Sequence, residues 1–182
     1  MKKKKTWSII RIILFSLLLA FFFRSYLFAS YVVNGKSMEP TLHDGNLLMV
    51  NKMIYDLKEI DRFDVIVFHA NEEEDYVKRV IGLPGDHIAY KNDILYINGE
   101  PVKEPYLEPF REEAEGQLTN DFTIEEITEE TVVPEGKLFV LGDNRQKSYD
   151  SRDIGFVDVA TVVGKVDVLY WPMSDIDFQL IR

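Results

Sequence analysis

A long apolar stretch behind a run of lysines constrains this chain more than any other feature. Lys2 to Lys5 precede residues 7–28, in which Arg11 and Arg24 are the only charged residues. As a helix, these 22 residues measure about 33 Å, enough to span a hydrocarbon core of about 30 Å. We therefore predict a basic tail at residues 1–6 and a transmembrane anchor at residues 7–28.

The lysines also set the expected orientation. Positively charged flanks remain in the cytoplasm. We thus predict a single-pass protein of the cell membrane, with its N-terminus cytoplasmic and residues 29–182 extracytoplasmic. Two other interpretations stay open, a cleaved signal peptide and a helix buried in a core. The sequence around Ala29 lacks a clear pair of small residues one position apart, which disfavours cleavage.

Charge divides the chain into two unlike regions. The net charge is −10, but residues 1–30 carry +6 and residues 31–182 carry −16. An acidic domain argues against nucleic acid as a partner, whereas the basic tail fits a lipid bilayer. The chain has no cysteine, which excludes a disulfide framework, a cysteine-ligated zinc or iron–sulfur site and a cysteine nucleophile. No metal-ligand set or cofactor fingerprint is present, so we expect no metal and no cofactor.

The region after the anchor has the pattern of a mainly β, antiparallel domain. Short runs of β-branched and aromatic residues alternate with turn signals, and no stretch keeps a helical period for a dozen residues. The predicted strands cover residues 47–50, 64–68, 76–81, 87–90, 94–97, 137–141 and 162–170. Hairpin turns are predicted at residues 91–93 and 98–99. Residues 104–130 hold ten acids and one arginine. We interpret them as a solvated, loop-rich insertion, with divalent cation binding as a weaker alternative.

Three segments of this domain carry side chains suited to chemistry. Residues 35–42 place Ser37 in a turn between Gly35 and Pro40. Residues 78–86 place Lys78 on a predicted strand between Tyr76 and Val80, where apolar neighbours would lower the pKa of a lysine. Residues 142–152 follow a predicted strand and are dense in charge. Each segment alone also fits a structural role: a surface turn, a lysine along a surface strand, or a salt-bridged loop.

Together, and in this order behind an anchor, the three segments resemble those of bacterial type I signal peptidases in the small Gram-positive form. The matching stretches are Ser-Met-x-Pro-Thr-Leu at 37–42, Lys-Arg-x-x-Gly-x-Pro-Gly-Asp at 78–86 and Gly-Asp-Asn-Arg-x-x-Ser-x-Asp-Ser-Arg at 142–152. The resemblance implies a β-sheet catalytic domain and a Ser–Lys peptidase. Its partners would be precursor proteins that carry signal peptides, cleaved after small residues.

Carried over position by position, the resemblance assigns roles to single residues. Ser37 would be the nucleophile, Lys78 the general base, and Ser148 the residue that orients the lysine amine. Some members use a serine hydroxyl two residues before the nucleophile in the oxyanion hole. That position is Gly35 here, so the hole must use backbone N–H groups, including that of Ser37. The charged residues that brace the site would be Arg79, Asp143, Arg145, Asp150 and Arg152.

A lysine acts as a base only while its amine is neutral. Its ordinary pKa is about 10.4, and burial must lower this toward about 7–8. Since a neighbouring carboxylate would keep the amine charged, we predict that Asp143 and Asp150 pair with Arg145 or Arg152 and not with Lys78. Alternative bases are weaker: Lys36 points away from its neighbour Ser37 in an extended chain. The three histidines, His43, His69 and His87, lack a triad context.

Two other functions remain open from the sequence. A self-cleaving, repressor-type peptidase shares the Ser–Lys pair but would need a DNA-binding domain. A membrane-anchored β domain that only binds or assembles would account for the anchor and the strands. It would not require the three segments together.

Overall fold

The structure, a computed structural model, describes residues 2–113 and 116–171. Within these ranges the α-helices are α1 (Lys2–Leu27), α2 (Ile54–Leu57), α3 (Glu108–Glu113), α4 (Ile124–Thr128) and α5 (Ser151–Ile154). Helix α1 begins inside the segment predicted as a separate tail and ends at Leu27, one residue before the predicted end of the anchor. Among the described residues, no helix meets both the length and the hydropathy that a bilayer crossing requires.

The rest of the described chain is mainly strands. They are β1 (Phe28–Val32), β2 (Leu47–Asn51), β3 (Val65–His69), β4 (Asp75–Gly82), β5 (Ile88–Lys91), β6 (Ile94–Ile97), β7 (Glu100–Val102), β8 (Phe122–Thr123), β9 (Lys137–Leu141), β10 (Val157–Asp158) and β11 (Val162–Trp171). The seven predicted strands are confirmed to within one or two residues at each end. The sequence analysis missed β1, β7, β8 and β10, which are short or merge with the apolar pattern of the helix before them.

The strands form two antiparallel sheets. The larger has the order β1-β2-β11-β3-β4-β9-β10, and the smaller the order β7-β6-β5-β8. In the larger sheet, Lys78 on β4 lies opposite Ile66 on β3, and Arg79 lies opposite Leu141 at the end of β9. This register brings the charged loop that follows β9 next to β4.

Both predicted hairpin turns lie in the smaller sheet. Asn92 and Asp93 have φ values of 50° and 64°, and Asn98 and Gly99 have φ values of 54° and 83°. Two consecutive residues with positive φ are the signature of the tight turns that match strand twist. These turns therefore set the register of β5, β6 and β7.

Apolar side chains cover both faces of the larger sheet. Val65 and Val67 pack in one cluster, whereas Ile66 and Phe68, the alternate residues of β3, pack in another. A strand buried on both faces reads as a continuous apolar run, which residues 65–68 show. A third cluster, which includes Ile81, Tyr90 and Phe139, joins the larger sheet to the smaller one.

The interpretation of residues 104–130 as a solvated, loop-rich segment needs correction. The described part contains α3, β8 and α4, and it buries Glu104, Leu107, Leu118, Phe122 and Ile124. Phe122 and Ile124 pack with apolar side chains of the smaller sheet, a contact that the many acids of this segment did not predict. The apolar side chains of residues 171–173 are also suited to contact a membrane surface; residues 172 and 173 lie outside the described residues, and Trp171 is half exposed.

Candidate active site

Ser37 and Lys78 meet although 41 positions separate them in the chain. The Lys78 Nζ donates a hydrogen bond to the Ser37 Oγ over 2.8 Å. Lys78 is held by β4, whereas Ser37 lies in the loop between β1 and β2. Met38 and Leu42 anchor that loop, since both are buried in the apolar cluster under it. The sequence therefore fixes the serine by inserting its apolar neighbours into the core.

Lys78 is buried, and only 4% of its surface is exposed. Burial lowers the pKa of Lys78 from 10.5 to about 8, while the charges of Asp150 and Asp143 oppose part of this shift. The ring of Tyr76 lies 5.3 Å from the Nζ atom. In the described part of the chain neither aspartate bonds to the amine, so a large fraction of Lys78 is neutral near pH 8.

Asp143 pairs with Arg79, and our prediction that it pairs with Arg145 or Arg152 is wrong. The Arg79 guanidinium donates to both carboxylate oxygens, at 2.9 and 2.7 Å, and both side chains are fully buried. The Thr41 hydroxyl donates to the same carboxylate over 2.5 Å. The reason for the difference is the β4–β9 register, which places Arg79 beside the chain that leaves Leu141.

Asp150 pairs with Arg152, one of the two arginines predicted as its partner. Two hydrogen bonds of 2.8 Å join the guanidinium to the carboxylate, which also accepts the Gly142 N–H over 3.0 Å. Burial alone would raise the pKa of Asp150, but the hydrogen bonds and charge of Arg152 hold it below its usual range. Asp150 also caps the N-terminus of α5. It is thus ionised and fully engaged with groups other than Lys78.

Arg145 extends away from both aspartates toward the smaller sheet. Its guanidinium donates to the Glu104 carboxylate at 2.6 Å and to the Tyr90 hydroxyl at 2.5 Å. Its Nε donates to the carbonyl of Gly142 at 3.1 Å. The sequence analysis missed Glu104, because nothing local separates it from the other acids of residues 104–130.

Among the described residues, Ser148 makes no hydrogen bond to the Lys78 amine. Its Oγ is buried and lies near enough to the Asp150 carboxylate to help lower the pKa of that group. The side chain packs against Gly142, where an added Cβ would collide with Ser148 and with the carbonyl of Ser37. Close packing against this glycine therefore explains where the hydroxyl lies.

The backbone around Ser37 is held by a residue to which we had given no role. The Asn144 N–H donates to the carbonyl of Ser37, and its side-chain amide donates to the carbonyl of Lys36, both over 3.0 Å. The N–H of Gly35 donates to Asp44 over 2.7 Å, so it is not free to bind an oxyanion. Among the described residues, no acceptor takes the N–H of Ser37 itself.

The three histidines lie apart from this pair. His69 contacts Asp75, His87 contacts Glu125, and His43 lies 3.9 Å from Glu39. None of them hydrogen-bonds to Ser37 in the described part of the chain. Over the same residues, no three His, Asp or Glu side chains converge as a metal ion would require.

Ser37 and Lys78 open onto a cleft of about 270 Å³. Its walls come from β1 and the following loop, from the start of β4, and from Lys147 and Tyr149. A larger groove of about 920 Å³ lies elsewhere, between the α2 region and the start of β11, and includes neither Ser37 nor Lys78. A serine hydroxyl beside a buried lysine in an open cleft is typical of hydrolases that use a serine nucleophile.

Comparisons with known proteins agree with this class. Residues 6–171 match the family described as signal peptidase, peptidase S26. Signal peptidase I of Bacillus caldolyticus is 62% identical over 157 residues, which cover 86% of each chain. Signal peptidase IB of Staphylococcus aureus is 41% identical over 98% of this chain and 96% of its own. A crystal structure of a signal peptidase I from Enterococcus faecalis is 45% identical, with a TM-score of 0.57 over 60% of this chain and 97% of that one. The chain therefore belongs to the signal peptidase family, peptidase S26.

Proposed function

We propose that this protein is a membrane-anchored serine endopeptidase that removes N-terminal signal peptides from secreted precursors. Ser37 is the nucleophile, and Lys78 is its general base. One observation carries the proposal: the buried amine of Lys78, with a pKa lowered to about 8, donates its hydrogen bond to the Ser37 hydroxyl over 2.8 Å. The names of the relatives, signal peptidase I and signal peptidase IB, support the choice of substrate.

The reaction begins with a proton transfer. A hydroxyl is a poor nucleophile until a base takes its proton. With a pKa of about 8, roughly a tenth of the Lys78 amines are neutral at pH 7, and about half at pH 8. The neutral Nζ accepts the Ser37 proton while the Oγ attacks the scissile carbonyl. The resulting ammonium then donates that proton to the departing amine.

The intermediate is an acyl-enzyme on Ser37. The negative oxygen that forms during attack needs hydrogen-bond donors already in place. The N–H of Ser37, for which the described residues provide no acceptor, is our candidate, because the N–H of Gly35 is bound to Asp44. Water then attacks the ester, with Lys78 again accepting the proton. These steps need neither metal nor cofactor.

The position of the cleft supports an extended substrate. Strand β1 is the edge of the larger sheet, and residues 31–33 at its end line the cleft beside Ser37. An edge strand binds an extended peptide by adding it to the sheet. The small side chains that type I signal peptidases accept near the cut suit a cleft of about 270 Å³.

Anchoring is the second part of the proposal. Helix α1 carries the four N-terminal lysines, and β1 follows it directly. We place the lysines in the cytoplasm and the β domain on the other side of the lipid bilayer, where secreted precursors emerge. The half-exposed Trp171 would contact the bilayer surface. Replacing Trp171 with Ser is expected to lower cleavage activity in liposomes more than in detergent, and an equal effect in the two media would contradict this contact.

Cleavage of a secretory precursor by the detergent-solubilised protein tests the function. We expect the wild type to cut at the signal junction and Ser37→Ala and Lys78→Ala to lose nearly all activity while remaining folded. Lys91→Ala, an exposed lysine on β5, is the matched control and is expected to remain active. An inert wild type would favour the alternative of an anchored β domain that only binds or assembles. Activity in Ser37→Ala would refute the choice of nucleophile.

A further inference from the structure

Glu104 is a buried acid that the proposed mechanism does not use. It opens the acidic segment, yet only 1% of its surface is exposed, whereas Glu108 nearby has a side chain that is 63% exposed. Burying a carboxylate is costly unless charge and hydrogen bonds compensate it. The partners of Glu104 therefore indicate why it is there.

Three groups converge on one oxygen of Glu104. Its Oε1 accepts hydrogen bonds from the hydroxyls of Tyr90 and Tyr106, each at 2.7 Å, and from Arg145 at 2.6 Å. Arg145 also donates to Tyr90, so the four side chains form a closed network. Networks of this kind in a low-dielectric interior hold their members in one arrangement.

Two routes lead from this network to the nucleophile. Along the first, Arg145 binds the carbonyl of Gly142, at the start of the loop in which Asn144 holds the backbone of Ser37. The loop is thus tied to the smaller sheet at one end and to Ser37 at the other.

The second route passes through an aromatic ring. The Arg79 guanidinium lies 3.9 Å from the ring centre of Tyr106, close enough for a cation–π contact. Arg79 binds Asp143, and Asp143 accepts a hydrogen bond from the hydroxyl of Thr41, which lies four residues after Ser37. Both routes start at groups that Glu104 holds and end at the chain around Ser37.

We propose that Glu104 is a positioning residue for the nucleophile, acting through Arg145 and Tyr106 on residues 142–145 and on the turn that contains Ser37. This inference rests on the proposed function, in which Ser37 attacks the substrate. Glu104 touches neither Ser37 nor Lys78. It keeps the Ser37 Oγ at the distance and angle that attack requires, and displacements of about 1 Å at such a group cost about 100-fold in rate.

The first test compares Glu104→Gln with Glu108→Gln in the full-length protein. Glu104→Gln is expected to lower kcat by about 30- to 100-fold and to change KM by less than about threefold, because the substrate cleft keeps its walls. The acid limb of the pH profile of kcat/KM is expected not to shift, because the carboxylates that affect the pKa of Lys78 are Asp150 and Asp143 and not Glu104. Glu108→Gln is expected to match the wild type. A wild-type kcat in Glu104→Gln would overturn the proposal.

A second pair of variants separates positioning from folding. Glu104→Gln with Arg145→Met removes both buried charges, and such paired replacements recover much of the stability that a single one loses. We expect the melting temperature to recover while kcat stays low, because the bond from Arg145 to Gly142 is gone. A kcat that recovers with stability would show a purely structural role and refute the inference.

Tyr106→Phe is a milder change that keeps the ring against Arg79 and removes two hydrogen bonds, one to Glu104 and one from Arg145. It is expected to lower kcat by about fivefold, corresponding to about 1 kcal/mol of lost positioning; a wild-type kcat would count against the proposal. Ser37→Ala is measured in parallel. If Ser37→Ala is inactive and Glu104→Gln is fully active, this inference alone fails. If Ser37→Ala remains active, the proposed function fails.

Discussion

Two lysines of the larger sheet occupy contrasting environments. Lys165 on β11 and Lys78 on β4 both lie opposite Ile66, one on each side of β3. Lys165 forms an ion pair with Asp64. Lys78 is buried, no carboxylate of the described residues bonds to it, and it contacts Ser37 instead. Burial without a carboxylate partner favours the neutral form of a lysine. The difference in partner thus distinguishes an ion-paired lysine from the lysine that we propose as the base.

The largest difference between the two lysines is expected in kcat when each is replaced by alanine in turn. Lys78→Ala is expected to lower kcat by about 100- to 10,000-fold, the usual contribution of a general base. Lys165→Ala is expected to keep kcat within about threefold, because its amine takes no part in the chemistry. Precursor cleavage at a temperature well below unfolding measures both. Equal losses of kcat in the two variants would show that the different environments of Lys78 and Lys165 do not affect catalysis.

Removing the Lys78 amine should lower activity but raise the free energy of unfolding near neutral pH. Its folded pKa of about 8 lies below the ordinary 10.5, so the unfolded chain binds more protons between these values. The contribution of Lys78 to the free energy of unfolding should then rise with pH across that window, by about 3 kcal/mol in all. Lys78→Met should be more stable than the wild type near pH 7, with the advantage shrinking toward pH 10.5. Denaturant unfolding at a series of pH values checks this, and a constant difference would contradict the pKa shift.

A carboxylate placed near Lys78 should make it resemble Lys165. The ring of Tyr76 lies 5.3 Å from the Lys78 amine, so Tyr76→Glu brings a negative charge into range. We expect the acid limb of kcat/KM to move up by about one pH unit and activity at pH 7 to fall about tenfold. Tyr76→Gln is the neutral control and should keep the acid limb of the wild type. An unshifted limb in Tyr76→Glu would show that the titrating base is not Lys78.

The smallest effect is expected from neutralising the partner of Lys165. Asp64→Asn should lower the free energy of unfolding by about 1 kcal/mol, since Lys165 is only partly buried and Tyr55 still bonds to the side chain. Chemical denaturation measures this change. The acid limb of the pH profile should not move, and a shift would show that Asp64 also acts on Lys78.

The sequence identified the residues of this site more reliably than it identified which of them pair with one another. Ser37 and Lys78 stand in separate short motifs, and the fold brings these two residues into contact. The partner of Asp143 was predicted wrongly, because it depends on the register between β4 and β9. No local pattern sets that register, and it places Arg79 opposite Leu141.

Glu104 shows a second limit. A run of acids predicts a solvated surface, and burial of one member depends on distant partners on β5 and in the loop after β9. Strand β1 was missed for a related reason. Its residues continue the apolar pattern of α1, and composition alone does not mark where a helix gives way to a strand.

The central claim is that Lys78 is held in its neutral form by burial. An NMR titration of the lysine side chains, with Lys78 assigned by its loss in Lys78→Arg, measures this directly. The account predicts that this amine titrates at a pKa of about 8 in the folded protein. A Lys78 amine that titrates at or above the ordinary value of about 10.4 would contradict it.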